Sequence, residues 1–355
     1  MKKVFFVVQS PKGISPSQRF RLELYERILT ENNINFNVQS FIDISTRKII
    51  YQKGYIFQKI SGVIKGFIRR FASLLKIPTY DFIVVYREAS PVGPPIFEWI
   101  YTKIFRKKLI FDFDDAIWVP LVSDNNKWKR FIKCSWKIKY ICRWSYKISV
   151  GNMYLYNYAI RYNKNVVINP TCVDTGHQHN IIQSHLTDRV SIGWTGSFST
   201  LPYLEQVVEV LQKLEKKYSF DFIVIADKNP KLPLKGFKFL KWNNETEIED
   251  LLQINIGIMP LSDTEFERGK CGLKIIQFLA LGIPAVASPV GVNNKIIEEN
   301  INGFLCETKD QWYIALEKLL LDKTLREKMG IAGREKVEKN YSVKSNADNF
   351  LSLFK

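Results

Sequence analysis

The chain is 355 residues long, 46% hydrophobic and 25% charged, which excludes an intrinsically disordered protein and suits two domains better than one core. Its net charge of +17 is uneven: residues 1–170 hold 29 Lys and Arg against 11 Asp and Glu, and the remainder holds 23 against 24. The first half is therefore expected to meet something anionic. Five widely spaced cysteines, with no Cys-x-x-Cys pair, fit a reducing compartment.

The start, MKKVFFVVQSPKG, has too few consecutive apolar residues for a signal-peptide core and reads as a strand. No apolar run approaches the roughly 20 residues of a spanning helix. Residues 4–9 read as a buried strand, 21–32 as a helix, and 35–41, 81–86, 108–113, 148–150 and 166–169 as further strands, with a helix over 96–105. After Pro170 the pattern restarts. Strands are expected at 191–194, 220–226, 237–241, 254–259 and 285–288, with helices at 201–217, 245–252, 271–281 and from 311 to 354. Strand–helix alternation of this kind predicts α/β architecture with parallel sheets covered on both faces, in two doubly wound halves.

Two basic segments interrupt the first half. Residues 47–76 and 127–147 each carry eight Lys and Arg and no acid. The first sets Ile56, Ile60, Val63, Ile64, Phe67, Phe71, Leu74 and Leu75 on a helical stripe, and the second contains Trp128, Trp136 and Trp144. Basic, Trp-bearing amphipathic segments suit the interface of an anionic membrane, and Phe67, Arg69, Arg70, Trp128, Lys129, Arg130 and Trp136 are the candidate membrane-facing residues. Nucleic-acid binding needs the same charge, but no recognisable RNA-binding motif is present. Gly62 and Gly66 weaken this helix, by roughly 1 kcal/mol each, so it is expected to form on the bilayer or against the domain.

The sharpest motif is ERGKCGLKIIQFLALGIPAVASPVGVN, residues 267–293. Arg268, Lys270 and Lys274 crowd a helix start, which binds anions through unpaired amides and the helix dipole. Gly269 and Gly272 permit close approach of a ligand. The arrangement reads as a diphosphate site or as a buried helix with a solvated basic end. In DFDDAIW, residues 112–118, the carboxylates read as a metal pair, as an acid–base group, or as helix caps. His177 and His179 read as a solvated loop, and Arg21 as a surface salt bridge.

The 267–293 stretch resembles the core motif of the family 4 (group 1) glycosyltransferases of the GT-B fold. SPSQRFR (15–21), VYREASPVGPP (85–95), DFDDAIW (112–118), VINPTCVDT (167–175), IGWTGSFSTLPYLEQ (192–206) and PVGVNNKIIEENINGFL (289–305) resemble the same family in the same order. The resemblance implies two Rossmann-like domains facing across a cleft. Residues 1–170 form an acceptor-binding, membrane-facing domain, residues 171–340 a nucleotide-sugar-binding domain, and residues 341–355 a helix returning to the first. It also implies a retaining transferase that uses a nucleotide-sugar; the basic, membrane-seated first half suggests a lipid-linked saccharide acceptor, a place in the cytoplasm on the inner face of the membrane, and a role in cell-surface polysaccharide synthesis. No cofactor, divalent metal or nucleic acid is expected.

The implied donor residues are Gly196, Ser197, Glu267, Arg268, Lys270, Cys271, Gly272, Leu273, Lys274 and Gln277. Ser17, Arg19, Arg87 and Glu88 meet the acceptor; Asp114, Asp115 and Lys274 are catalytic. The chain departs from the family pattern at Gly269 and Gln277, where two Glu are usual, and at Ser197, where Arg is common. Glu267 is the candidate substitute for sugar contact. A degenerate, non-catalytic membrane partner and a nucleic-acid-binding protein are the alternative readings.

Overall fold

The computed structural model describes residues 1–120 and 132–355. It separates into two compact units: Met1–Pro170 with Ala347–Lys355, and Thr171–Asn346.

Unit 1 is built on a parallel sheet of β1 (Lys2–Val8), β2 (Ile34–Ser40), β3 (Phe82–Tyr86), β4 (Lys108–Phe113), β5 (Lys147–Val150) and β6 (Val166–Ile168), in the order β2-β1-β3-β4-β5-β6. Every residue of β3 and all but the first of β4 are buried, as continuous apolar runs in a sheet covered on both faces require. The edge strand β2 is mostly open. The last residues close this core. Phe350 stacks on Tyr25 at 4.0 Å, Phe354 meets Phe82 edge-on at 5.8 Å, and Lys2 donates to the Phe354 carbonyl at 2.7 Å.

Unit 2 repeats the plan with β7 (Ser191–Gly196), β8 (Asp221–Ala226), β9 (Phe237–Lys241), β10 (Ile256–Met259), β11 (Ala285–Ala287) and β12 (Gly303–Leu305), ordered β12-β11-β10-β7-β8-β9 and again parallel. Trp194, Leu211, Val224, Ile258 and Leu316 are fully buried at its core. The two doubly wound halves expected from the sequence are present.

Local geometry departs from expectation in three places. The expected helix over 21–32 is two short helices, Pro16–Arg21 and Glu26–Glu31, joined by a 3-10 turn at Glu23–Tyr25. Pro at its first turn opens the earlier helix inside what reads as loop. The helix over 271–281 spans Leu273–Ala280, because Gly272 takes a left-handed conformation (φ +69°). Helix Ile56–Ser73 carries apolar residues on two faces rather than one. Val63, Phe67 and Leu74 turn inward with Gly62 and Gly66, while Phe57, Ile60, Ile64, Ile68, Phe71 and Leu75 are exposed. A Cβ at Gly66 would stand 2.6 Å from the Phe41 ring, so the two glycines let the helix lie directly on the segment after β2.

Candidate functional site

In unit 2 the candidate residues gather where β7 and β10 end, the edge at which such sheets bind ligands. Gly272 offers no capping side chain, and the first turn of Leu273–Ala280 holds no acid, so its leading amides keep their donor capacity. Lys274 stands in that turn, half-buried. Its ammonium lies 4.1 Å over the Trp194 ring, and among the described residues no carboxylate pairs with it. Burial, with Lys270 nearby, pushes its pKa well below the usual lysine range. One turn further on, Gln277 is buried, and its Nε2 has no hydrogen-bond partner among the described residues; neither has the Trp194 indole nitrogen. Such orphaned donors ask for a ligand or water.

The other donor candidates have contacts of their own. Arg268 closes the short helix Glu265–Arg268 and grips Asp263 with two nitrogens, at 2.6 and 2.8 Å. Glu267 accepts hydrogen bonds from Tyr203 and Thr264, which fastens the turn after β7 to this helix. Lys270 lies 4.8 Å over Phe266, and Cys271 is buried. Gly196 ends β7, and Ser197 caps the following turn, with the Phe198 amide donating to Asp227 at 2.6 Å. Tyr203 and Trp194 were missed as site residues. The order of the IGWTGSFSTLPYLEQ motif marks them, but only tertiary contact shows what each touches.

In unit 1 the ends of β3 and β4 bring Ser17, Arg87, Asp114 and Asp115 together. Arg87, in the left-handed region at φ +61°, donates to Asp114 at 2.9 Å, to Asp115, and to Ser17 Oγ at 3.3 Å. Asp114 is buried and also accepts from the Tyr86 hydroxyl at 2.9 Å. Burial alone raises a carboxyl pKa, but Arg87, Arg21 and Tyr86 together hold Asp114 below its usual range. Asp115 is the more accessible of the two.

Several expectations need correcting. Arg21 is no surface residue: it is fully buried, paired with Asp112, and donates to the Asn169 carbonyl and to Ser149 Oγ. Its partner lies in β4, far along the chain. Glu88 does not open to an acceptor, being buried against Lys137 at 2.6 Å. Arg19 is buried, its guanidinium 5.1 Å over Phe20. His179 is buried rather than solvated, whereas exposed His177 pairs with Asp174 at 3.1 Å. Among the described residues no cluster of His, Cys, Asp or Glu is arranged to hold a metal.

The membrane candidates are also redistributed. Phe67 packs on Phe41 and Phe97, Arg69 donates to the Phe41 carbonyl, and Arg70 is wholly buried. These three face the domain because the glycine face does. The outward ridge instead runs Phe57 (85% exposed), Ile60, Ile64, Ile68, Phe71 and Leu75 (86%). Trp136 is exposed as expected; Trp128, Lys129 and Arg130 lie outside the described residues. No described helix is long and apolar enough to cross a membrane.

Two doubly wound parallel units of this kind are the architecture of GT-B glycosyltransferases. Sucrose-phosphate synthase from Thermosynechococcus elongatus superposes with a TM-score of 0.73 at 13% identity, over 100% of this chain and 98% of its own. HepE of Anabaena, solved with UDP-glucose, gives 0.67 at 12% identity, over 100% and 99%. At these identities the likeness defines the fold. Residues 192–336 match the family described as "Glycosyl transferases group 1", so the chain carries a group 1 glycosyltransferase domain, as its motifs suggest.

Among curated proteins, spore coat protein SA of Bacillus subtilis is 31% identical over 81 residues, 22% of either chain. N-acetyl-alpha-D-glucosaminyl L-malate synthase of Bacillus anthracis is 25% identical over 112 residues, 31% of this chain and 28% of its own. The matched stretch therefore spans under a third of each curated relative.

Proposed function

We propose that this protein is a retaining glycosyltransferase. Unit 2 holds a nucleoside-diphosphate sugar and unit 1 a lipid-linked saccharide acceptor, and the protein works on the inner face of the cell membrane in building a cell-surface polysaccharide. Lys274 carries the donor half of this reading: a half-buried ammonium, without a carboxylate partner among the described residues, stands at an uncapped helix start beside a second cation. That combination is electrostatically unfavourable until an anion arrives. The solved complex of HepE with UDP-glucose supports a sugar nucleotide as that anion.

In this reaction the C1–O bond to the diphosphate breaks. Lys274, Lys270 and the first-turn amides stabilise the charge that develops on the leaving group, as preorganised donors do, so the reading requires no metal. An acceptor hydroxyl forms the new C1–O bond on the same face of the sugar. Asp115 orients that hydroxyl and takes its proton. Asp114 instead stays an anion that fixes Arg87. The outward apolar ridge of Ile56–Ser73, amid Lys59, Lys65 and Lys76, supports seating on an anionic bilayer.

The departure at Gly269 favours a second reading. With Gly269 where the family has its first Glu, and with Glu267 committed to Tyr203 and Thr264, the usual sugar-contacting carboxylate is missing from this motif, which suits a non-catalytic relative. A thermal-shift and hydrolysis screen of wild type and Lys274→Ala against UDP- and GDP-sugars separates the two. Stabilisation by one nucleotide, lost in the variant and accompanied by slow release of free sugar, is the expected result. Nucleotide binding without turnover in any donor–lipid combination supports the non-catalytic relative, and no response to any nucleotide overturns the donor site.

A further inference from the structure

Each of the two basic segments sends a cation inward to the same loop. Arg70, from helix Ile56–Ser73, is fully buried and makes no ion pair among the described residues. Its guanidinium donates to the carbonyls of Val8 (2.6 Å), Gln39 (2.9 Å) and Ala89 (2.9 Å), and to Gln39 Oε1 (2.7 Å). It thus ties the C-terminal ends of β1 and β2 to the loop after β3. Lys137 opens the helix Lys137–Trp144 in the second segment and is 1% exposed. Its ammonium pairs with Glu88 and donates to the carbonyls of Ser90 (2.8 Å) and Gly93 (3.2 Å). From the third side, Glu98 accepts the Ala89 amide at 2.9 Å, and the Ile132 carbonyl accepts the Gly93 amide at 2.8 Å.

The loop held this way, residues 88–93, follows directly on Arg87, whose guanidinium binds both candidate acceptor carboxylates. Burying two cations is costly unless their hydrogen bonds are well made. Here they are made mainly to backbone, which fixes loop shape rather than side-chain identity. Outside the same elements lie the exposed groups: Phe57, Ile60, Ile64, Ile68 and Phe71 on the first helix, Trp136 beside Lys137, and Ile96 and Trp99 on the helix between them.

We propose that Arg70 and Lys137 are positioning residues through which the membrane-seated elements set the acceptor-side loop, so that docking on an anionic bilayer tightens residues 88–93 and with them Arg87. This rests on the membrane reading above. The basic segments then have two tasks: exposed cations and apolar groups meet lipid, while Arg70 and Lys137 hold the loop.

The test is hydrogen–deuterium exchange of the full chain, alone and with vesicles of phosphatidylcholine or of phosphatidylcholine with phosphatidylglycerol. In wild type, phosphatidylglycerol vesicles are expected to slow exchange of residues 88–93 about tenfold, and phosphatidylcholine vesicles to leave it unchanged. Lys137→Met is expected to speed exchange in 88–93 without vesicles, leave β3 (Phe82–Tyr86) unchanged, and abolish the vesicle effect while still pelleting with vesicles. Arg70→Lys, which keeps a buried donor, retains part of the protection and guards against reading misfolding as loss of positioning.

Binding to phosphatidylglycerol vesicles with no change in the loop overturns the coupling and leaves the membrane reading intact. Failure to bind those vesicles overturns both. A loop insensitive to Lys137→Met overturns the positioning role.

Discussion

Lys274 holds its ammonium 4.1 Å above the ring of Trp194, in a site that offers this cation a π face and no carboxylate among the described residues. Its lowered pKa sets the sign of two effects. Below the folded value the group is charged in both folded and unfolded chains, and its burial costs stability. As pH rises from there towards about 10.4, the ordinary lysine value, the folded chain sheds the proton first and that cost shrinks. A bound diphosphate favours the ammonium, so binding takes up a proton in this window. The thermal stabilisation by UDP should therefore fall as pH rises, and calorimetry in buffers of different ionisation enthalpy should register the uptake. Lys274→Ala should lose both effects without lowering the melting temperature of the unliganded protein.

Gln277 is tested by the contrast between free and bound protein. Its amide nitrogen is buried without a partner among the described residues, so truncation sacrifices no hydrogen bond seen there. Gln277→Ala is expected to weaken nucleotide binding about tenfold, equivalent to ~1.4 kcal/mol, measured by titration calorimetry. The melting temperature of the free protein should drop by less than that loss implies.

Gly66 reverses the usual rule for helices. Alanine is favoured over glycine in a helix interior by about 1 kcal/mol. Here a methyl group would stand 2.6 Å from the Phe41 ring and 2.7 Å from its backbone carbonyl. Overpacking of this kind costs about 1–3 kcal/mol. Gly66→Ala should therefore destabilise unit 1 in urea unfolding, and a stabilised variant would mean that the helix does not pack this closely.

Arg21 and Asp112 form an ion pair sealed from water. Removing one partner strands the other, at a cost of about 3–5 kcal/mol. Arg21→Met should lower the unfolding midpoint of unit 1 and leave nucleotide binding by unit 2 unchanged. A surface ion pair, as the sequence alone suggests, would cost less than about 1 kcal/mol.

The outward ridge makes a separate prediction. Ile64→Glu with Ile68→Glu changes two exposed positions, so the melting temperature should hold while sedimentation with phosphatidylglycerol vesicles is lost. Unchanged sedimentation would move the membrane contact elsewhere. If binding instead persists on RNA, falls steeply with salt and ignores lipid, the basic half is a nucleic-acid surface.

Both sheets were legible because parallel strands buried on two faces read as unbroken apolar runs, such as VFFVV and DFIVIA. The diphosphate-type motif was legible because glycine and lysine spacing at a helix start is local. Partners distant in sequence were not. Nothing near Arg21 points to Asp112, and nothing in a run of lysines separates Lys137, which faces a loop carbonyl, from Arg143, which faces solvent. Periodicity found the amphipathic helix but merged its two apolar faces. The glycines at 62 and 66, read as weaknesses, are the mark of the inward one.

The closing of the unit 1 core by Phe350 and Phe354 also bears on how the chain is made. Pro170 and Ala347 are separated by the whole of unit 2, so at roughly 5–20 residues per second a ribosome needs about 10–35 s between finishing β6 and supplying the aromatic plug for Tyr25 and Phe82. During that interval, while the second unit is still being synthesised, the nascent first unit lacks the aromatic plug of its core. The basic unit is thus begun before unit 2 and closed only after it.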